Sequence, residues 1–361
     1  MGARDFLERD DPVTLDDPAA LARIDSHDTR GVLTDFPAQC RAAVALAPST
    51  SGPLPRPRAV IVAGMGGSAA GGDLLAACAT ERLDVPVLVH RGYGLPTLAG
   101  AADLVIVLSY SGETVETLSA ATTGLERRCR VVAITSGGRL AALARRHRLT
   151  SVTLPGGLMP RMALGYLFFP MLAVLRAADL VVVKDAEIDE ALSGLDGLTR
   201  ELAPGSPTAV NEAKRLALAL GDRVPVIYGG PATGPVAYRW KTDLEENAKC
   251  LAVAGALPEM NHNEIEVWGA RIPQALHVVL LRDAHEDVEI SRRFTLVREL
   301  IARQTGVSEA WTRGTGTLAR LLSLIVLGQW TSFYLAALRG LDPWAVPVLD
   351  SFKAQLADGS R

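Results

Sequence analysis

The stretch AVIVAGMGGS, from Ala59 to Ser68, decides how this chain folds. Its first five residues are apolar without alternation, the pattern of a strand buried on both faces, and parallel sheets bury strands in that way. Glycines then end the run, and Ser68 opens an Ala/Leu-rich helical stretch. The same alternation continues downstream. Strands are expected at Ala59 to Ala63, Val85 to His90, Asp103 to Leu108, Arg130 to Thr135 and Ser151 to Leu154. Helices are expected between them at Ser68 to Thr80, Thr114 to Arg127 and Arg139 to His147. Strands separated by helices predict an α/β fold, a parallel sheet with helices on both faces joined by right-handed crossovers.

A second copy follows in the same order. AVIVAGMGG (Ala59 to Gly67) answers to PVIYGGPA (Pro225 to Ala232), and LVIVLSYSGE (Leu104 to Glu113) to HVVLLRDAHE (His277 to Glu286). The helix end LAVLRAAD (Leu172 to Asp179) answers to LAALRGLD (Leu335 to Asp342). Three ordered pairs indicate a tandem duplication. The acidic, then Gly/Pro-rich stretch from Lys184 to Pro207 reads as the junction, because Pro-Gly-Ser-Pro at 204–207 cannot continue a helix. The expected organisation is a helical segment over 1–45, a first domain over 46–185, a linker over 186–207 and a second domain over 208–361.

Composition fits this plan. The 361 residues are 48% hydrophobic and 21% charged, enough for two domain cores and too apolar for disorder. Lys plus Arg number 37 against 40 Asp plus Glu, with neither sign in a long run, so no nucleic-acid partner is expected. Four cysteines (Cys40, Cys78, Cys129, Cys250) lie far apart, which argues against structural zinc and a disulfide scaffold. Met1 to Asp11 is charged and has no secretory pattern, so a cytoplasmic location is expected. The apolar stretches Met162 to Val183 and Leu318 to Leu338 are interrupted by Arg176, Arg320, Gln329, Thr331 and Ser332. Charge at mid-bilayer is costly, so both are expected to be buried helices and not membrane spans.

Two turns carry the first chemical signal. GMGGS (Gly64 to Ser68) and SYSGET (Ser109 to Thr114) each follow a strand and open a helix. Helix starts offer unpaired N–H groups and the positive end of the dipole, glycines let an anion approach, and hydroxyls add donors. In a parallel sheet both turns lie at the carboxyl ends of strands, where ligands bind. Together they predict a phosphate site. GMGGSA also nearly fits the dinucleotide fingerprint, so an NADP-dependent oxidoreductase is a competing reading. Against it, His90 and Arg91 stand where an acidic residue is expected, and a Ser/Thr-rich second loop suits a single phosphate group better than a pyrophosphate.

In the second copy SYSGET has become RDAHED (Arg282 to Asp287), charges in place of small donors, and phosphate binding there is expected to be lost. That copy instead carries PEMNHNEIEVW (Pro258 to Trp268). Two roles are open for it: Asn263 caps a helix with Glu264 in its first turn, or Glu264 is a general base aided by neighbouring donors. A metal site of His262 with Glu264 or Glu266 has no second ligand at i, i+4 spacing and is the weaker alternative. Arg161, between Pro160 and an apolar helix, either sits at the surface or faces a negatively charged reaction centre.

With GMGGS, SYSGET, the Pro160-Arg161 pair, NHNE, LRD and a terminal Asp-Pro segment followed by a Lys-bearing helix, the chain resembles the bifunctional phosphoglucose/phosphomannose isomerases. The resemblance runs from about Asp25 to Leu356, and DFPAQ (Asp35 to Gln39) is similar to the family's FPEQ element. It implies two SIS (sugar isomerase) domains, each doubly wound and flavodoxin-like. It further implies that Gly66, Gly67 and Ser68 approach the sugar while Ser109, Ser111 and Thr114 hold its phosphate. By the same resemblance Glu264 moves a proton between C2 and C1, and Arg161 stabilises the cis-enediolate. A histidine reaching the partner subunit's site, read as His285 and not the in-strand His277, assists ring opening with Lys353. A homodimer with a shared site is implied, and neither cofactor nor metal. The family's DPTPV-like run reads DPWAV here, Asp342 to Val346, with Trp344 in place of a small hydroxyl residue. A non-catalytic phosphosugar sensor is the alternative, because the same loops occur in regulators.

Overall fold

Unbroken apolar runs become the central strands. The computed structural model describes residues 14–49, 54–271 and 275–358. The N-terminal residues on which the reading of targeting rests lie outside them. Helices α1 (Pro18–Ile24), α2 (Thr29–Thr34) and α3 (Phe36–Val44) come first. Next are β1 (Val60–Gly64), α4 (Gly66–Ala79), β2 (Val87–His90), β3 (Leu104–Leu108), α5 (Val115–Glu126), β4 (Arg130–Thr135), α6 (Gly138–His147) and β5 (Thr150–Thr153). A 3-10 turn at Pro160–Met162 leads into α7 (Leu164–Ala177), followed by α8 (Asp185–Leu202) and α9 (Glu212–Leu220). The second half holds β6 (Val224–Gly229), α10 (Gly234–Ala248), β7 (Val253–Ala256), β8 (Leu276–Arg282), α11 (Val288–Ile301), β9 (Gly306–Trp311), α12 (Thr317–Leu338) and α13 (Pro347–Asp358).

The first sheet is parallel with strand order β2-β1-β3-β4-β5, the flavodoxin-like order, and the second is parallel with order β7-β6-β8-β9. Both are α/β, as expected. In the first, Ile61, Ala63, Val105 and Val107 pack against Ala120, Ala121, Leu140 and Ala144 of α5 and α6. In the second, Val226, Tyr228, Val278 and Leu280 pack against Ile290, Phe294, Val297 and Ile301 of α11. Full burial of each Val, Leu, Ile or Phe among them contributes about 1.5–3 kcal/mol.

The repeat holds at the level of register. Gly64 pairs with Leu108 in the first sheet, and Gly229 pairs with Leu281 in the second. Counting from those glycines, Ser68 corresponds to Thr233, Ser109 to Arg282, Gly112 to His285 and Thr114 to Asp287. Likewise the neighbours Ala63 and His90 correspond to Tyr228 and Gly255.

Two compact units result. One comprises Asp35–Asp196 with Thr312–Ser323, and the other comprises the described residues up to Thr34, Gly197–Trp311 and those from Leu324 on. The segment read as a linker over 186–207 is instead helix α8 as far as Leu202. Ile188, Leu192, Leu195, Leu198 and Leu202 recur at helical spacing and are buried, whereas Gly194 and Gly197 have open space where a Cβ would stand. The segment read as one N-terminal piece over 1–45 is likewise divided, its described residues up to Thr34 belonging to the second-sheet unit. There the fully buried Lys214 donates to Asp16 Oδ1 (2.9 Å) and to the carbonyls of Pro204 and Ser206 (both 2.8 Å). Both long apolar stretches form helices, the first only over Leu164–Ala177. α12 is long and apolar enough to cross a membrane by composition, yet 94% of its apolar window is buried inside the protein.

Candidate active site

In the first-sheet unit two strand ends deliver two helix starts, and neither α4 nor α5 has a side-chain cap hydrogen bond at its N-terminus. Their first N–H groups are therefore not satisfied by the cap residue's side chain, as an anion site requires. The turns are tied together: Tyr110 N–H donates to Ser68 Oγ at 3.2 Å. Ser109 is buried, with its Oγ 3.0 Å from Thr114 Oγ1 and accepting from Gly112 N–H at 3.1 Å. Gly112 has φ +73°, and a Cβ there would stand 1.9 Å from the carbonyl oxygen of Gly137, so only glycine closes this turn. Ser111 is exposed at the tip and accepts from Glu113 N–H at 3.3 Å. A third turn, after β4, supports the second from behind. Ser136 donates to the Tyr110 carbonyl through its N–H (3.0 Å) and its Oγ (2.7 Å).

Arg161 belongs to the same cluster. It is 2% exposed, which rules out the surface role. A Cβ on Gly67 would lie 2.7 Å from the Arg161 nitrogen, so the start of α4 touches the Pro160–Met162 turn directly. Gln39 fixes that turn from the other side. Its Nε2 donates to the Met162 carbonyl (2.9 Å) and its Oε1 accepts from Gly165 N–H (2.9 Å). Thus Gly66, Gly67, Ser68, Ser109, Ser111, Thr114 and Arg161 are gathered at the carboxyl edge of one sheet.

In the second-sheet unit, Glu264 opens a 3-10 helix, Glu264–Gly269, and is half-buried. The capping role foreseen for Asn263 is present: its Oδ1 accepts from Glu264 N–H at 2.7 Å. The carboxylate has a separate partner, because Tyr228 Oη donates to Glu264 Oε2 at 2.8 Å. Trp268 Nε1 donates in turn to Tyr228 Oη at 3.4 Å, with the two rings edge to face at 6.4 Å. Burial first, and the neighbouring Glu264 second, push the Tyr228 phenol well above its ordinary range, so it stays protonated and remains a donor. His262 is exposed, and among the described residues no group of three or more His, Cys, Asp or Glu is arranged to hold a metal ion.

Known proteins resemble this chain. A model of the bacterial phospho-glucose isomerase C-terminal SIS domain matches residues 209–356. The bifunctional phosphoglucose/phosphomannose isomerase of Caldicellulosiruptor bescii is 38% identical over 83% of this chain and 89% of its own length. That of Thermoplasma acidophilum is 32% identical over 82% and 89%. The chain belongs to the bifunctional phosphoglucose/phosphomannose isomerase family. Its fold is also that of a glucose-6-phosphate isomerase like protein from Thermus thermophilus, with a TM-score of 0.63 at 22% identity, covering 95% of this chain and 99% of that one.

Against that family's pattern, the remaining residues lie on separate elements of the second-sheet unit. His285 is exposed in the turn after β8, its N–H donating to Asp283 Oδ1 at 3.1 Å. His277 is buried in β8 and bonds Ser308 Oγ at 2.9 Å, as expected of a core residue. Lys353 is exposed on α13. Arg282, which replaces Ser109, is buried between the rings of Phe294 (4.7 Å) and Trp311 (4.4 Å) and pairs with Glu286 and with Glu309 (2.5 Å). Trp344, the departure from the isomerase family's terminal run, stacks on His27 at 5.8 Å, and Asp342 accepts from Ser26 Oγ at 2.6 Å. Sequence reasoning missed Gln39 and Tyr228 as supporting residues. Gln39 lay within the quoted DFPAQ element, whereas Tyr228 carries no local signal, since strand register alone brings it to Glu264.

Proposed function

We propose that this chain interconverts glucose 6-phosphate and mannose 6-phosphate with fructose 6-phosphate by proton transfer through a cis-enediolate. The observation that carries the reading is the NHNE carboxylate Glu264, held by the Tyr228 phenol, in a chain of this family that also has two uncapped helix starts lined with hydroxyls. The α5 start with Ser109, Ser111 and Thr114 binds the phosphate, while Gly66, Gly67 and Ser68 approach the sugar. Binding energy from that remote anion positions the reacting carbons and so acts on rate as well as affinity.

Glu264 takes the proton from C2 of the open-chain aldose. The C–H electron pair becomes the C1–C2 double bond, and charge moves to O1. Arg161 offsets that charge, as preorganised donors do for a developing anion. A proton passes from O2 to O1, Glu264 returns its proton to C1, and C2 becomes the ketone carbon. No electrons are gained or lost, so the reaction needs no redox partner. His285 and Lys353 assist ring opening, with the working form a cytoplasmic homodimer in which the histidine serves the partner's site.

A coupled assay with glucose 6-phosphate and mannose 6-phosphate, run with and without chelator, tests the activity. Turnover of both substrates in both conditions is expected, and inactivity toward both would overturn the reading. Glu264→Gln is expected to lower kcat on the order of 10²- to 10⁴-fold with the fold intact. Near-normal turnover would remove Glu264 from the role of base.

A further inference from the structure

A carboxylate that shuttles one proton between adjacent carbons must keep one oxygen over both carbons, and rotation about its terminal torsion is broad unless something holds it. In this chain something does. Tyr228 Oη grips Glu264 Oε2 at 2.8 Å, and Trp268 Nε1, buried behind it, orients the phenol oxygen at 3.4 Å. Tyr228 is 2% exposed and donates from the core of the sheet. Space for the ring is built into the neighbouring strand. A Cβ on Gly255 would stand 2.6 Å from the Tyr228 ring and 3.2 Å from Glu264 Oε2. The corresponding pair in the first sheet is Ala63 beside His90, so small and large residues have exchanged strands between the two copies.

We infer that Tyr228 is the positioning residue for the proton-transfer carboxylate: it occupies Oε2, leaves Oε1 to the substrate, and Gly255 exists to admit it. This rests on the reading of Glu264 as the base. A phenol kept protonated by burial suits the task, because its O–H stays available to the carboxylate while its oxygen accepts from Trp268. The bond denies the carboxylate free rotation, so its loss is expected to affect the chemical step and not the grip on the phosphate.

The test is steady-state kinetics of the full chain on glucose 6-phosphate for Y228F, G255A and E264Q, with deuterium incorporation measured in D2O. Y228F removes one oxygen and keeps the ring. It is expected to lower kcat about ten- to hundredfold, the worth of a hydrogen bond to a charged group, with KM within about twofold. It is also expected to raise the share of product carrying solvent deuterium per turnover, because an unheld carboxylate exchanges its proton more readily. G255A, whose methyl displaces the ring, is expected to give the same kcat loss with unchanged KM. Wild-type kcat and deuterium content in Y228F, with E264Q inactive, would overturn the inference. An active E264Q would instead overturn the reading beneath it.

Discussion

The turn after β3 and the turn after β8 start at the same register position, yet their contents are opposite. In the first, Ser109, Ser111 and Thr114 present neutral hydroxyls, and the charge of any anion bound there must come from outside. In the second, Arg282 is already answered by Glu286 and Glu309 and enclosed by Phe294 and Trp311. Asp283 N–H even donates to Glu286 Oε2 at 3.3 Å, whereas Glu113, at the same register position of the first turn, accepts from Arg139 instead. Duplication kept the backbone, and side-chain electrostatics reassigned it. On the proposed reading one copy serves as an anion cradle, while the other is the frame beside which the NHNE carboxylate is mounted.

That division of labour can be broken at several points. The largest expected effect is in Glu264→Gln, where turnover should collapse while calorimetric affinity for glucose 6-phosphate stays within a few-fold of wild type. Affinity that collapses with turnover would mean the two copies do not divide binding from chemistry. Next is Arg282→Met, which strands the Glu286 carboxylate in a buried setting. We expect a loss of about 3 kcal/mol in chemical denaturation, since removing one partner of a buried pair leaves an uncompensated charge. An unchanged midpoint would show that the second turn is not held by its charges.

Ser111→Ala gives a smaller and different result. An exposed hydroxyl adds little to folding, so the melting temperature should stay put while phosphosugar affinity weakens by about 1.5 kcal/mol, the lower end for a hydrogen bond to a charged group. Equal affinity by calorimetry would count against the turn as the phosphate site. The smallest effect concerns His277, which takes the place of Leu104 in the repeat. Burial holds its imidazole below the ordinary value. The folded chain therefore binds this proton more weakly than the unfolded one, and stability falls as pH drops below about 6.5 and is regained above it. His277→Leu should flatten that slope between pH 5 and 7, as read from urea midpoints across the range.

Much of this was legible in the residues. The strands of the first sheet begin and end within about two residues of the apolar runs, because strands buried on both faces show no alternation to confuse them. The hydroxyl turns were legible too, since two Gly/Ser turns, each between a strand and a helix, stand on adjacent strands, although one such turn alone is an ordinary connector. Helix α8 was not. Its apolar residues have helical spacing, but Gly194 and Gly197 cost about 1 kcal/mol each relative to alanine, and the acidic residues around them read as a linker. Tertiary burial of Leu195, Leu198 and Leu202 overrides that cost.

The order of residues alone determined the α/β class, the repeat, the two hydroxyl turns and the NHNE carboxylate, because each follows from periodicity or from neighbours close along the chain. Only the tertiary structure decided that Arg161 is buried against Gly67, that Gln39 holds its turn, and that Tyr228 reaches Glu264 past Gly255. Those contacts join residues 36 to 126 positions apart. Strand register and close packing bring such residues together, and neither leaves a mark in the local sequence.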